Sequence, residues 1–182
     1  MVRITLLLAF TLFSSTICNA QKYYTRSGVT EFKASQETFE PIEAINKSAT
    51  AIFNINTGEV VAQVFIASFE FKNALMQEHF NENYMESALY PKAVFKGKID
   101  NFSKDSLNKI SNFDLVGTLT IRGVEKVVKT KVTVKEDNKK LIITTRFVVK
   151  PDDFNIKIPS IVKEKIANKI QINIKYELVE KK

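Results

Sequence analysis

From Ser48 to Leu178, apolar and polar residues alternate along most of the chain. A period of two leaves little choice except strands with one face buried. The segment "SATAIFNI" places Ala49, Ala51, Phe53 and Ile55 on one face, with Ser48, Thr50, Ile52 and Asn54 on the other. "NTGE" turns the chain, with Gly58 free to take positive φ. "VVAQVFIASFEF" then follows, apolar on both faces, which predicts a strand covered on both sides. "FDLVGTLTIRGVEKVVKTKVTV" reads as a hairpin: Leu115, Gly117, Leu119 and Ile121 share a face, "RGVEK" turns, and Val128, Val132 and Val134 return. After the turn "EDNKK" come "LIITTRFVV" and "IQINIKYEL", the latter with Ile170, Ile172, Ile174 and Tyr176 on one face. Seven or eight antiparallel strands, without repeats or linkers, predict a single sandwich or closed barrel.

Two stretches break the alternation. In "NALMQEHFNENYMESA", Met76, Phe80, Tyr84 and Ala88 recur every four residues, Asn73 is placed to cap, and Tyr90-Pro91 ends the run. That is an amphipathic helix. "SIVKEKIANK" predicts a shorter second helix, capped by Ser160 and continued by Ile161, Lys165 and Ile166. The fold class is therefore all-β with two short helices.

The first helix carries the single histidine, His79. Glu82 and Glu86 share its helical face, but a metal site wants at least three good ligands and few are on offer. As a general base His79 has no nucleophile or orienting partner at a readable spacing. The structural reading is a helix-boundary histidine bonded to nearby backbone or carboxylate. Glu78, Glu82 and Glu86, at four-residue intervals, read as the wet side of the helix. No catalytic residue and no metal site is assigned.

"MVRITLLLAFTLFSSTICNA" has the basic Arg3, an apolar run from Ile4 to Phe13 and a small residue, Ala20, before Gln21. This is the pattern of a secretory signal peptide. The apolar run is shorter than the about 20 residues that a spanning helix needs. Cleavage near Ala20 would leave residues 21–182 as one exported domain, periplasmic or secreted. The only cysteine, Cys18, falls in the leader, so the mature chain would have no disulfide and no thiol chemistry. Acylation of Cys18 is the alternative, opposed by the bulky Ile17 before it. The formal net charge is +7, but the lysines are dispersed, without an Arg-rich block. That argues against nucleic acid and allows a peripheral attraction to anionic membrane surfaces. A monomer and a homodimer are equally compatible with the pattern.

Such a sheet either fills its interior or encloses a cavity. Ala49, Ala51, Ala62, Ala67 and Gly117 stand where a packed core would favour Val, Leu or Phe, and small inward residues in a barrel leave room. An uncharged inward face would suit an apolar guest. Small residues also occur wherever a helix packs closely on a sheet, so both alternatives stand. Arg122, with Lys163, Lys165 and Lys169, would either hold an anionic headgroup or form solvated surface.

"HFNENYMESALYPKAVFKG", "GTLTIRGVEKVVKTKVTV" and "DDFNIKIP", in that order and at those separations, resemble the YceI-like family of exported bacterial proteins. The resemblance runs from about Tyr23 to Leu178. It implies a lipocalin-like, extended antiparallel β-barrel of about eight strands around an apolar cavity that holds a polyisoprenoid or isoprenoid quinone. It implies no cofactor other than such a bound lipid, and no catalytic residue. The implied wall or mouth residues are Phe53, His79, Phe80, Tyr84, Met85, Phe95, Leu119, Ile121, Phe154 and Ile172. His79 would meet the polar head of the lipid. The alternative is an envelope stress or interaction module with a filled core. The chain departs from the family at Asn155, where glycine usually follows the Asp-Phe pair.

Overall fold

The computed structural model describes residues 21–35, 41–108 and 110–181. The expected leader, with Cys18 and the cleavage point at Ala20, lies outside the described residues. Among the described residues nine strands form one sheet: β1 (Lys22–Ser35), β2 (Glu43–Asn54), β3 (Glu59–Phe65), β4 (Glu70–Phe71), β5 (Lys92–Ile99), β6 (Ser111–Ile121), β7 (Val124–Asp137), β8 (Lys140–Val149) and β9 (Ile166–Glu180). Neighbours follow the order β1-β9-β8-β7-β6-β5-β3-β2, and β2 pairs back onto β1. Eight strands therefore close into an antiparallel barrel, which leaves few unpaired edges for another chain to join. The ninth, β4, pairs with the start of β2 through Ala44 to Phe71 and Ile45 to Glu70.

The alternation read from the sequence sets the register. Ala49, Ala51, Phe53 and Ile55 are all buried, as are Leu115, Leu119, Val128, Val132 and Val134. The β6–β7 turn has two residues, with Ile121 facing Val124 across it. Arg122 takes φ 50° and Gly123 φ 75°, the paired positive values that match the twist of the flanking strands. Asn138 and Lys139 make the β7–β8 turn in the same way, with φ 50° and 64°.

Where β2 leaves β3, a buried polar side chain replaces the ladder. Pairing of the two ends at Thr50 with Gln63, and the chain makes a 3₁₀ turn at Ile66–Ser68 before β4. Asn46, fully buried, donates from Nδ2 to the Phe65 carbonyl at 3.0 Å. Its Oδ1 accepts from the Ser48 amide at 2.8 Å, so both ends of the amide are satisfied at the break.

Three expectations change. The segment after Ser160 is not a helix: one 3₁₀ turn covers Ser160–Val162, and β9 already begins at Ile166. Ile166, expected on the helix, is a strand residue paired with Ser35 of β1, while Ile170, Ile172 and Ile174 lie on the strand as their alternation predicts, paired with Val149, Phe147 and Thr145 of β8. The outer face of β3 is not covered either; Val61 and Phe65 are exposed, since a single-layered barrel has only water outside. Phe65 is shielded by the Lys92 ammonium, 4.9 Å from its ring centre. The first helix is real but shorter in its α form: α1 spans Ala74–His79, and Phe80–Tyr84 continues as one π turn.

Candidate functional site

The inward side chains leave a cavity of about 430 Å³ in the half of the barrel toward α1. This falls within the range of about 300–1,000 Å³ typical of ligand pockets. Its wall is overwhelmingly apolar, with Phe95 from β5, Leu119 and Ile121 from β6, and Ile170, Ile172 and Ile174 from β9. Among the described residues no aspartate or glutamate lines it, and the basic side chains there are His79 and Lys165.

The other half of the barrel is filled. Phe53 is fully buried there, edge-on to Phe102 with centroids 5.0 Å apart, and Phe102 meets Phe113 at 5.4 Å. Val134, Leu141 and Leu178 are also fully buried and, like Phe53, do not line the cavity. Phe53 is thus part of a plug and not of a ligand wall. Alternation gives the face of a residue but not its depth along the barrel.

Small inward residues do not simply leave room. A Cβ on Gly117 would stand 2.4 Å from Cζ of Phe95 and 2.6 Å from Cα of Gly97, the residue paired with it on β5. The Phe95 ring lies over this glycine pair and takes the space that two side chains would fill. A Cβ on Gly28 would stand 2.5 Å from Cδ1 of Tyr176 and 3.2 Å from the Ala49 Cβ, so Tyr176 fills the gap that Gly28 and Ala49 leave. Ala62 does line the cavity, whereas Ala67 is exposed in the 3₁₀ turn.

The lid is α1 with its π turn. Asn73 caps it, its Oδ1 accepting from the amides of Leu75 at 2.9 Å and Met76 at 3.3 Å. Phe80 then drives into an aromatic cluster, with centroids 5.3 Å from Phe32, 5.7 Å from Phe69 and 5.1 Å from Phe71. All four rings line the cavity. The π turn shifts the inward face by one residue. The Met85 amide donates to the Phe80 carbonyl at 2.9 Å, so Met85 is buried while Ala88, expected on the same stripe, is exposed.

Arg122 ties the lid to the barrel. Its Nη2 donates to a Glu86 carboxylate oxygen, its Nη1 donates to the Asn155 carbonyl at 2.7 Å, and its guanidinium lies 5.7 Å from the Tyr90 ring centre. Three segments meet here: the end of the lid, the β6–β7 turn, and the 3₁₀ turn Pro151–Phe154. Asn155 closes that last turn at φ 56° and ψ 29°, the left-handed conformation for which glycine is the usual choice and asparagine the next. Arg122 is thus held between these three segments and is not solvated surface, and Glu86 is not simply wet surface. Sequence spacing carried no signal for this pair, 36 residues apart.

His79, Phe80, Tyr84, Met85, Phe95, Leu119, Ile121, Phe154 and Ile172 all line the cavity. His79 is exposed at the mouth and its side chain makes no hydrogen bond among the described residues, contrary to the boundary role expected for it. Among the described residues no group of three His, Cys, Asp or Glu gathers to hold a metal. The wall threonines are occupied: Thr130 donates to the Arg146 carbonyl at 2.9 Å and Thr145 to the Lys131 carbonyl at 2.7 Å. Thr30 and Tyr176 share a hydrogen bond of 2.9 Å at the cavity floor. Burial raises the Tyr176 phenol above its ordinary pKa, partly offset by Thr30, and burial raises Tyr84 as well. Both phenols are therefore neutral at physiological pH.

A sequence model described as the YceI-like domain matches residues 20–178. Solved structures give the same fold. A polyisoprenoid binding domain from Saccharophagus degradans, implicated in plant cell wall breakdown, aligns with a TM-score of 0.76 at 14% identity, covering 89% of this chain and 99% of its own. BcnA from Burkholderia cenocepacia aligns at 0.68 and 19% identity, covering 83% and 96%. The YCEI protein of Campylobacter jejuni aligns at 0.61 and 20% identity, covering 79% and 87%. A search of curated protein sequences finds no match to the chain.

Proposed function

This chain belongs to the YceI-like domain family, and we propose that it is an exported, non-enzymatic binding protein for a long apolar lipid, a polyisoprenoid or isoprenoid quinone. The single observation that carries this reading is the cavity: about 430 Å³, walled by aliphatic and aromatic side chains, and reaching the surface under a helical lid. The binding described for the Saccharophagus degradans domain supports the choice of lipid class. The signal-peptide pattern of residues 1–20 supports export to the periplasm or the medium, with the mature domain beginning near Gln21.

The mechanism is burial. Removing on the order of several hundred Å² of apolar lipid surface from water, at about 25 cal/mol per Å², supplies several kcal/mol before ordering costs. The hydroxyls of Thr30, Thr130, Thr145 and Tyr176 add little unmet polar demand, because Thr130 and Thr145 donate to backbone carbonyls and Thr30 and Tyr176 bond to each other. The aromatic cluster around Phe80 covers the tail, while His79 stands where a polar head would emerge. The rival, a packed module acting through its surface, requires a filled core, and this one is filled in only one half.

Native mass spectrometry of the mature protein taken from its own envelope fraction, followed by organic extraction, tests the reading. A stoichiometric apolar adduct is expected. Protein that extracts clean and takes up no isoprenoid lipid offered in solution would overturn it.

A further inference from the structure

We propose that the mouth of the barrel docks on an anionic membrane leaflet, led by the turn that carries Ile161. This rests on the lipid-binding reading above and adds where the lipid is collected or delivered. Three of the most exposed large apolar side chains, Ile161 (86%), Leu89 (74%) and Leu75 (57%), sit on segments that border the mouth. Leu75 lies on α1 beside Met76, Leu89 between the π turn and β5, and Ile161 beside Val162; both Met76 and Val162 line the cavity.

Charge selects the kind of surface. Residues 157–169 carry Lys157, Lys163, Lys165 and Lys169, all exposed, against one acid, Glu164. Glu78 and Glu82 lie on the exposed side of the lid, so the attraction comes from the Ile161 side, which leads the approach. Lysine is depleted in protein–protein interfaces, because its ammonium is costly to dehydrate. At a bilayer the same residue extends its stem over apolar surface and keeps its head among phosphates. Apolar tips on a basic rim, around an apolar opening, fit shallow insertion into the headgroup boundary. In that pose a lipid tail would pass from leaflet to cavity with little exposure to water.

The test is co-sedimentation of the mature protein with vesicles of phosphatidylcholine, alone or mixed with phosphatidylglycerol. Binding to the mixed vesicles is expected, weakening as salt is raised. Ile161→Asp should lower partitioning by about tenfold or more, and Lys163→Gln with Lys165→Gln by about fivefold per lysine removed. Ile110→Asp, at the opposite end of the barrel, should bind like the parent. No vesicle binding, equal binding to both vesicle types, or loss in the Ile110 variant alone would each overturn the proposal. So would a homodimer that Ile161→Asp dissociates while vesicle binding is untouched. Organic extraction of the same samples separates the two readings: protein that retains lipid yet ignores vesicles refutes docking and leaves lipid binding intact.

Discussion

The Phe95 ring stands over Gly117 so closely that a Cβ added there would lie 2.4 Å from its Cζ. Gly117→Ala is therefore expected to destabilise the fold by about 1–3 kcal/mol despite the better strand propensity of alanine. Relief by moving the ring alone is closed off, because the Gly97 Cα and the Lys96 carbonyl oxygen both lie 2.6 Å from the same position. Urea denaturation midpoints of the two proteins measure the difference. A midpoint raised by the substitution would mean that the sheet opens at this point without cost.

The filled and hollow halves should respond differently to truncation. Phe53→Ala removes a fully buried ring from the plug and should cost about 3–5 kcal/mol. The folded fraction should keep its lipid uptake. Phe80→Ala opens the lid cluster, faces an existing cavity, and should cost less stability while weakening lipid retention. Calorimetry paired with uptake of a fluorescent isoprenoid separates the two effects, and the reverse pattern would mean that plug and wall have been exchanged.

Arg122 is expected to set how long the lid stays closed. Arg122→Gln loses two charge-assisted contacts from a side chain that is only 17% exposed, and should cost about 1–3 kcal/mol. Lysine should restore little of this, since one ammonium cannot satisfy the Glu86 carboxylate and the Asn155 carbonyl in the fork geometry of a guanidinium. Hydrogen exchange across residues 80–90 should quicken in both variants, and lipid release should quicken with it. Unchanged exchange in Arg122→Gln would mean that the Phe80 cluster alone holds the lid.

Alkali should find Tyr176. Its pKa is raised by burial above the ordinary 10.0, so the folded state holds this proton more tightly than the unfolded chain does. The corresponding stability is complete below the ordinary value and drains away as pH rises through it toward the raised one. Tyr176→Phe should flatten that alkaline decline. At neutral pH it should cost about 1 kcal/mol for the lost bond with Thr30. Urea melts of both proteins across an alkaline pH series provide the measurement.

Much of the barrel was legible because a period of two is a strong signal: Ala49, Ala51, Phe53 and Ile55 are buried as their alternation demands. What alternation lacks is height, and Phe53 shares a strand face with residues nearer the cavity although it belongs to the plug. The four-residue stripe through Met76, Phe80 and Tyr84 is readable, but the π turn that puts Met85 inside in place of Ala88 is not, since the shift is decided by packing on the barrel; Met85 enters the expected wall only through the family resemblance. The second helix failed for a related reason. Ile161, Lys165 and Ile166 fit a helical stripe, yet tertiary pairing claims Ile166 for β9 opposite Ser35. Of the small inward residues Ala62 lines the cavity as expected, but the sequence does not say which ring will lie over Gly117 or against Gly28. The Arg122 contacts join positions too far apart for any local pattern to reveal.

The plug around Phe53, Phe102 and Phe113 makes the hollow half a blind alley. On the lipid-binding function proposed above, a long guest would go in tail first and back out head first, past His79 at the opening. Depth then acts as a ruler: a tail that reaches the Thr30–Tyr176 floor has no further to go, and whatever length remains stays outside. On that reading the part left outside would report how much is held within.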